Sequence, residues 1–409
     1  VSTDAGERRA PRRQFLAGAD VILPDRILSN HTVVIEDTRI VDIVAGPRGV
    51  DAGEVRHDCA GAIVCPGFID VHVHGVLGDD VMDGEAALRR VARSLPRFGV
   101  TAFCPTSIAC APEDLRRFLT SVGTVRVTPE PGTARVLPAH LESAYINADF
   151  RGAQPLEHLR SGASAGFDAR KLASELSSTP DVGIFTMAPE IPGGRDLLQA
   201  LVAAGIRVSL GHSGATWEQG HDAISLGARH ATHLFNRMPP LSHRQPGLVA
   251  AILEREEVAA EIIGDGFHVH PALVRIALAA KGRDKVMAIT DGTAGSGLPK
   301  GACAKLGRRQ ITVGDTALLE DGTLAGSVAT MDRVFVMLVT RAGQSLVDAA
   351  TVCATTPARE LGLLTQGVIA PGMQADLVVL DAHLQVSRTF VAGAEVRFSR
   401  QEPDSVTLS

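Results

Sequence analysis

The sequence predicts an α/β protein: a (β/α)8 barrel of the TIM type over residues 66–360, joined to a small β-sandwich domain built from both chain ends, residues 14–65 and 361–402. Three observations predict it. Through the middle of the chain, apolar strand-like runs alternate with helical stretches, the pattern of a parallel sheet wrapped by helices. Eight such runs can be counted, and most finish in a polar or ionisable residue, as strands do at the C-terminal rim of a barrel. Short strands separated by turn residues occur at both ends of the chain, and two such β segments usually meet in space.

Residues 1–12 read as a charged, loose tail. Arg12-Arg13-Gln14-Phe15-Leu16 has the arginine pair of a twin-arginine export signal, but Asp20, Pro24, Asp25 and Arg26 interrupt what would be its apolar region. It is read instead as a basic tail leading into a first strand. Strands are expected at Ala19–Ile22, Thr32–Ile35 and Ile40–Val44, with Pro-Asp, Asp-Thr and Gly-Pro pairs between them. The barrel strands are expected at Gly67–His74, Gly99–Ser107, Arg135–Glu142, Val182–Glu190, Ile206–Ser213, Ala231–Asn236, Glu261–His268 and Val286–Asp291. Helices are expected at Glu85–Pro96, Pro112–Val122, Asp168–Ser177, Arg195–Gly205, Gln219–Gly227 and Pro271–Lys281. The β pattern returns at Gly367–Gly372, Ala375–Asp381 and Val386–Val391.

The 409 residues are 45% hydrophobic and 21% charged, too apolar for a disordered chain and long enough to bury a catalytic pocket. A formal net charge of −6 provides no general basic surface, so nucleic acid and anionic membranes are not expected partners. An anionic substrate must therefore meet local positive groups. The six cysteines (Cys59, Cys65, Cys104, Cys110, Cys303, Cys353) form no C-x-x-C pair, which argues against a disulfide framework and a cysteine zinc knot and for buried thiols in a reducing, cytoplasmic setting. No apolar stretch reaches the length of a membrane span.

The most informative segment is Pro-Gly-Phe-Ile-Asp-Val-His-Val-His-Gly, from Pro66 to Gly75. Alternate strand residues share a face, so His72 and His74 point together and can grip one divalent metal. Alone, such a pair is an ordinary strand feature. Here Glu142 closes the third run, His212 falls at the end of the fifth, His233 in the sixth and Asp291 closes the eighth, so all six groups would face one mouth. Imidazole nitrogen with carboxylate oxygen suits zinc, or iron as the alternative, better than magnesium or calcium. Such a metal lowers the pKa of a water and polarises a carbonyl, and a nearby carboxylate, here Asp291, moves the proton to a leaving nitrogen. If Glu142 is shared it bridges two metals; if one is bound, Glu142, His212 and His233 make an open three-ligand site. The residues alone leave that count open.

Together with Gly211-His-Ser, Thr232-His-Leu-Phe-Asn, Asp265-Gly-Phe-His, Thr290-Asp-Gly, Leu324-Ala-Gly-Ser and the closing run from Gly367 to Asp381, this segment resembles the N-acetylglucosamine-6-phosphate deacetylases of the amidohydrolase superfamily. The resemblance extends from about Ala19 to Val396. It implies hydrolysis of the acetamido group of an N-acetylhexosamine 6-phosphate to acetate and the free amine. It also implies Glu142, His212 and His233 as metal ligands, His72 and His74 as the pair some members use for a second metal, and Asp291 as the acid/base. Asn236 and Arg237 match positions that contact phosphate or sugar, His268 matches a substrate-binding histidine, and Leu324, Ala325 and Gly326 match a loop lining the sugar pocket. Arg244 matches an arginine that reaches the phosphate across a homodimer interface, a role suited to a guanidinium; by itself it would read as a solvated loop charge.

Three departures stand out. Glu142 is followed by Ser143-Ala144-Tyr145 where the family has Gly-Pro and an aromatic residue, so the backbone near the metal should differ. Gly152-Ala153-Gln154 stands where Gly-Ala-His is usual, near the substrate, and Gln154 cannot carry a positive charge. Arg237 replaces a small residue and would supply a cation instead. Cyclic-amide hydrolases of the superfamily are a rival reading, but they use a lysine at the end of strand four, where this chain has Met187-Ala-Pro-Glu190. Base deaminases use a His-x-x-Glu acid that Gly211-His-Ser-Gly-Ala-Thr lacks. A catalytically silent scaffold would have lost a ligand or the strand-eight aspartate, and neither is missing.

Overall fold

In the computed structural model the described residues are 13–397, apart from 49, 50, 52 and 165. The charged tail through Arg12 and the last expected sandwich residues, 398–402, lie outside them. Strands from both ends of the chain make one mixed sheet. In spatial order its strands are Ala394–Val396, Val386–Val391, Leu377–Leu380, Ile63–Pro66, Arg13–Ile22, Ile27–Glu36 and Arg39–Ala45, with Val55–Asp58 also paired to Arg13–Ile22. The seam between the two ends is antiparallel, Leu377 opposite Pro66 and Leu380 opposite Ile63. Apolar residues from both sides of that seam, among them Leu16, Val33, Ile35, Val64, Leu377 and Phe390, bury into one cluster. Expected strands at 19–22, 32–35 and 40–44 lie within longer ones. Gly367–Gly372 is a correction: it forms a loop, and its apolar residue Ile369 is buried in the same cluster without joining the sheet.

Ile63–Pro66 runs through Gly67 directly into the first strand of the barrel. The barrel strands are β1 Phe68–Val73, β2 Val100–Ser107, β3 Ala139–Glu142, β4 Val182–Met187, β5 Arg207–Leu210, β6 His230–Ala231, β7 Ala259–Ile263 and β8 Val286–Ile289. Neighbours in this order pair in parallel from β1 to β8, and a parallel bridge from Val73 to Gly292 closes the ring. The inner floor is filled by Ile69, Val71, Ala102, Ile184, Ala259, Met287 and Ile289. All eight expected strands exist, but most are shorter than read. The fifth, sixth and eighth stop at Leu210, Ala231 and Ile289, so His212, His233 and Asp291 each lie two residues beyond a strand.

All six expected helices form. Pro112–Val127 runs longer than expected, and Glu85–Ser94 hands over to a 3-10 turn at Leu95–Phe98. Further helices at Gly247–Glu254 and Met331–Thr340, and a helical run from Leu346–Ala350 to Thr356–Glu360, add to them. After β8 the chain adds a three-stranded antiparallel sheet, Cys303–Leu306, Arg309–Val313 and Ala317–Leu319, with its own apolar cluster around Ile311, Val313 and Leu319. Among the described residues no helix is long and apolar enough to cross a membrane.

Gly99 joins the barrel to the terminal sheet. It holds a left-handed turn at φ +80, and a Cβ there would lie 2.8 Å from the Phe68 ring and 3.1 Å from Val378. Gly362, at φ +73, has open space around the same position. Gly99→Ala should therefore cost about 2–5 kcal/mol, combining left-handed strain with overpacking, and Gly362→Ala about 1–2 kcal/mol from strain alone. Denaturant unfolding of the two variants checks this; equal losses would show that the Phe68–Val378 contact is not tight.

Candidate metal centre at the barrel mouth

His72 and His74 leave β1 toward the inside of the barrel, both fully buried, with Nε2 atoms 3.3 Å apart. His212 and His233 face them from the fifth and sixth strand ends, their Nε2 atoms 3.1 Å apart. Glu142, the last residue of β3, lies between the two pairs. Its Oε1 is 2.7 Å from His212 Nε2 and 3.0 Å from His233 Nε2, and its Oε2 is 3.6 Å from His74 Nε2. Asp291 Oδ1 approaches His74 Nε2 at 3.2 Å and His72 Nε2 at 3.4 Å.

The backbone is bent to make this possible. His212, His233 and Asp291 adopt φ of +48, +30 and +50, a left-handed conformation that costs a non-glycine residue of order 1–3 kcal/mol and persists where its surroundings enforce it. One such residue past the end of a short strand turns the side chain inward over the mouth. The loop after His212 is pinned by Glu190, which accepts from Asn147 Nδ2 (2.8 Å), Ser213 Oγ (2.7 Å) and the Gly214 N–H (2.6 Å), while the Asn147 N–H donates to the His212 carbonyl. His233 is followed by a Leu234 N–H bonded to the Glu261 carbonyl. Asp291 is tied on both sides, its N–H to the His72 carbonyl and its carbonyl to the Ser327 N–H (2.7 Å). That approach requires Gly326, at φ +63, where a Cβ would sit 2.8 Å from the Asp291 carbonyl oxygen.

The side chains are aimed from behind as well. Nδ1–H of His74 donates to the Thr106 carbonyl (3.0 Å), that of His212 to the Phe150 carbonyl (2.8 Å), and that of His72 to Glu261 Oε2 (3.0 Å). A neutral imidazole that spends its hydrogen on Nδ1 presents a lone pair at Nε2. Three such lone pairs therefore point into a space already holding two carboxylates. Groups facing one another at about 3 Å need a cation among them: a shared proton in the metal-free protein, where against burial Asp291 and Glu142 push His74 up to about 9, or a metal ion, and nitrogen with carboxylate oxygen is the donor set of zinc and other first-row metals. Two ligand groups meet here, Glu142–His212–His233 and His72–His74–Glu142, sharing Glu142. Burial works to raise the Glu142 carboxyl, but His212, His233 and His72 around it hold it well below the usual carboxylate range. For Asp291 too, burial is outweighed by His72 and His74, and its carboxyl is held down.

Two participants are not legible in the sequence reading. Glu261, in the middle of β7, and His140, in β3, are fully buried and form a third cluster with His72. Burial pushes Glu261 up to about 7. A glutamate inside Ala-Ala-Glu-Ile-Ile is the signal that could have found it, since a buried carboxylate needs partners.

The cluster opens into a cavity of about 440 Å³ lined by Ala153, Gln154, Asn236, Arg237, His268, Leu324 and Gly326 together with His74, Glu142, His212, His233 and Asp291, while His72 is buried behind them. Arg237 donates to the Leu324 carbonyl (3.3 Å), and His268 is oriented by Asp265, Nδ1 to Oδ2 2.6 Å. Ser143 Oγ donates to the Thr186 carbonyl (2.6 Å) and accepts the Tyr145 N–H, which fixes the chain after Glu142 in place of the Gly-Pro pair. Two candidates outside the metal cluster are not brought to the cavity either. Ala325 is buried in the cluster of the three-stranded sheet. Arg244 sits on an exposed loop beside the half-exposed Leu241, away from the cavity of its own chain.

Comparison with known proteins agrees with this geometry. The model of the amidohydrolase family matches residues 63–398. The chain is 36% identical to the N-acetylglucosamine-6-phosphate deacetylase of Rattus norvegicus over 90% of its own length and 88% of that protein's. It is 31% identical to the N-acetylgalactosamine-6-phosphate deacetylase of Escherichia coli O157:H7, over 91% and 96%. A solved structure of a mutant N-acetyl-D-glucosamine-6-phosphate deacetylase from Mycobacterium smegmatis, in complex with N-acetyl-D-glucosamine-6-phosphate, superposes with a TM-score of 0.85 at 31% identity, covering 94% of this chain and 99% of that one.

The contact of Glu261 with His72 yields a prediction. Glu261→Gln should weaken the uptake step that uses His72 by ~10–100-fold and the His212–His233 step less, since Glu261 Oε2 also accepts the His233 N–H at 3.4 Å. Competition with a chromophoric chelator measures both steps; parallel weakening, or none, contradicts the assignment.

Proposed function

This chain belongs to the amidohydrolase family, and from that membership we infer that it is an N-acetylglucosamine-6-phosphate deacetylase, hydrolysing the acetamido group to acetate and the amino-sugar phosphate. The observation that carries this reading is the convergence of Glu142, His212, His233 and Asp291 at one end of a cavity of sugar-phosphate size, in a chain that matches such deacetylases along nearly its whole length.

Glu142, His212 and His233 are the residues that hold the metal, zinc by their donor chemistry with iron as the alternative; His72 and His74, sharing Glu142, offer a second position. When bound, such an ion polarises the amide carbonyl and acidifies a water. Asp291 is the acid/base. Its carboxylate takes a proton from the attacking water as the new C–O bond forms, and returns a proton to the nitrogen as the C–N bond breaks, so that acetate and an amine leave. In the metal-free protein His74 and His72, 3.2 and 3.4 Å from Asp291 Oδ1, hold that carboxyl down.

Arg237, Asn236 and His268 bind the sugar phosphate in the same cavity, whose wall also includes Leu324, Gly326, Ala153 and Gln154. Arg237 supports this role because its guanidinium makes no ion pair among the described residues and is held by a backbone carbonyl alone. Arg244, exposed and remote from its own cavity, is assigned to the phosphate of a second copy of the chain, making the enzyme a homodimer. A cytoplasmic location accords with six cysteines that all remain free thiols.

Acetate release from N-acetylglucosamine 6-phosphate, its galactosamine epimer and the unphosphorylated sugar tests this. Turnover of the phosphorylated glucosamine derivative is expected, lost in Asp291→Asn while the metal content holds, and with KM raised in Arg244→Ala for phosphorylated sugars alone. Normal turnover by Asp291→Asn would remove it from the mechanism, and no release from any of the three sugars would overturn the substrate.

A further inference from the structure

The side chain of Gln154 is 4% exposed and committed at both ends. Its Oε1 accepts the Ala109 N–H at 2.7 Å, which fixes the amide orientation, and its Nε2 donates to Glu142 Oε2. The loop carrying it is anchored in turn, the Gln154 N–H to the Arg151 carbonyl at 3.0 Å and the Ala153 carbonyl to Arg309 at 2.9 Å. The two oxygens of Glu142 are therefore unequal. Oε1 faces His212 and His233 at 2.7 and 3.0 Å and lies 3.9 Å from His72, whereas Oε2, 3.6 Å from His74, already accepts a hydrogen.

We propose that Gln154 is a positioning residue that makes the two metal positions unequal: by occupying Glu142 Oε2 it commits Oε1 to the His212–His233 position and weakens the His72–His74 position. The inference rests on the assignment of these residues as metal ligands made above. A carboxylate oxygen that accepts a hydrogen bond has one lone pair fewer to offer and less charge to share, so the position using it binds a cation less tightly. The same bond stops the carboxylate from rotating, which preorganises Oε1 for its own position. Gln154 thus acts on the two positions with opposite signs. A residue that merely filled space would act on both alike.

The test is a cobalt(II) titration of the chelator-stripped full chain, followed by the visible absorption of the bound ion and by competition with a chromophoric chelator. The wild-type protein should fill in two steps separated by ~10-fold or more. In Gln154→Leu, and in Gln154→Met as an unbranched alternative should the first fold poorly, the tight step should weaken and the weak step tighten, bringing the two together. Thermal unfolding of the stripped proteins separates loss of the Ala109 bond from this effect. Two equal steps in the wild type, unchanged steps in the variants, or parallel weakening of both would each overturn the proposal. Acetate release plays no part in the readout, so a chain that fills in this order but releases no acetate would defeat the substrate reading and leave this one standing.

Discussion

Glu142 carries its charge into a space where four imidazole nitrogens approach it at 2.7, 3.0, 3.6 and 3.9 Å. Desolvating a carboxylate is expensive, and it is tolerated when the field around it compensates. Here three of the four rings have an acceptor behind Nδ1, so each turns Nε2 toward Glu142, ready to share a proton or to give its electron pair to a metal. That arrangement is repulsive without a cation and strongly attractive with one. The requirement for a cation links the chemistry of the mouth to the stability of everything that holds it.

Much of the surrounding structure can be read as support for that convergence. Three of the inward-facing groups stand on left-handed backbone just past short strands, and each is braced: His212 by the Glu190 hub, His233 by Glu261, and Asp291 by β1 and by the Gly326–Ser327 segment. Behind the mouth, the antiparallel seam between Leu377–Leu380 and Ile63–Pro66 fixes the start of β1 and hence the register of His72 and His74. The polar groups sit where the parallel sheet can be open, at its C-terminal rim, while the floor is apolar and closed.

The barrel was legible because its strands are fully buried apolar runs separated by amphipathic helices, a pattern that survives without any knowledge of contacts. His72 and His74 were legible for the same reason, since alternation places them on one face. His212, His233 and Asp291 were found as residues, but their geometry was not, because a single residue of positive φ leaves no composition signal outside glycine. Glu261 and His140 read as lone polar residues within apolar strands, and their meaning depends on a partner about 190 and 70 positions away in sequence. Gln154 was legible as a departure, and its facing Glu142 was not. The three-stranded sheet at 303–319 has a faint signal in the sequence, Ile311 and Val313 alternating inward with Arg309, Gln310 and Thr312 around them, over a run of only five residues.

The central claim is that the groups around Glu142 are a metal centre and that it drives amide hydrolysis. The most direct measurement is acetate release from N-acetylglucosamine 6-phosphate by one preparation before chelation, after removal of metal, and after zinc is returned in stoichiometric amount. Turnover should disappear with the metal and return with it, while the stripped protein, less stable than the loaded one, keeps its fold because the apolar barrel floor and the antiparallel seam do not involve the ion. Undiminished acetate release from protein shown to hold no metal would contradict it.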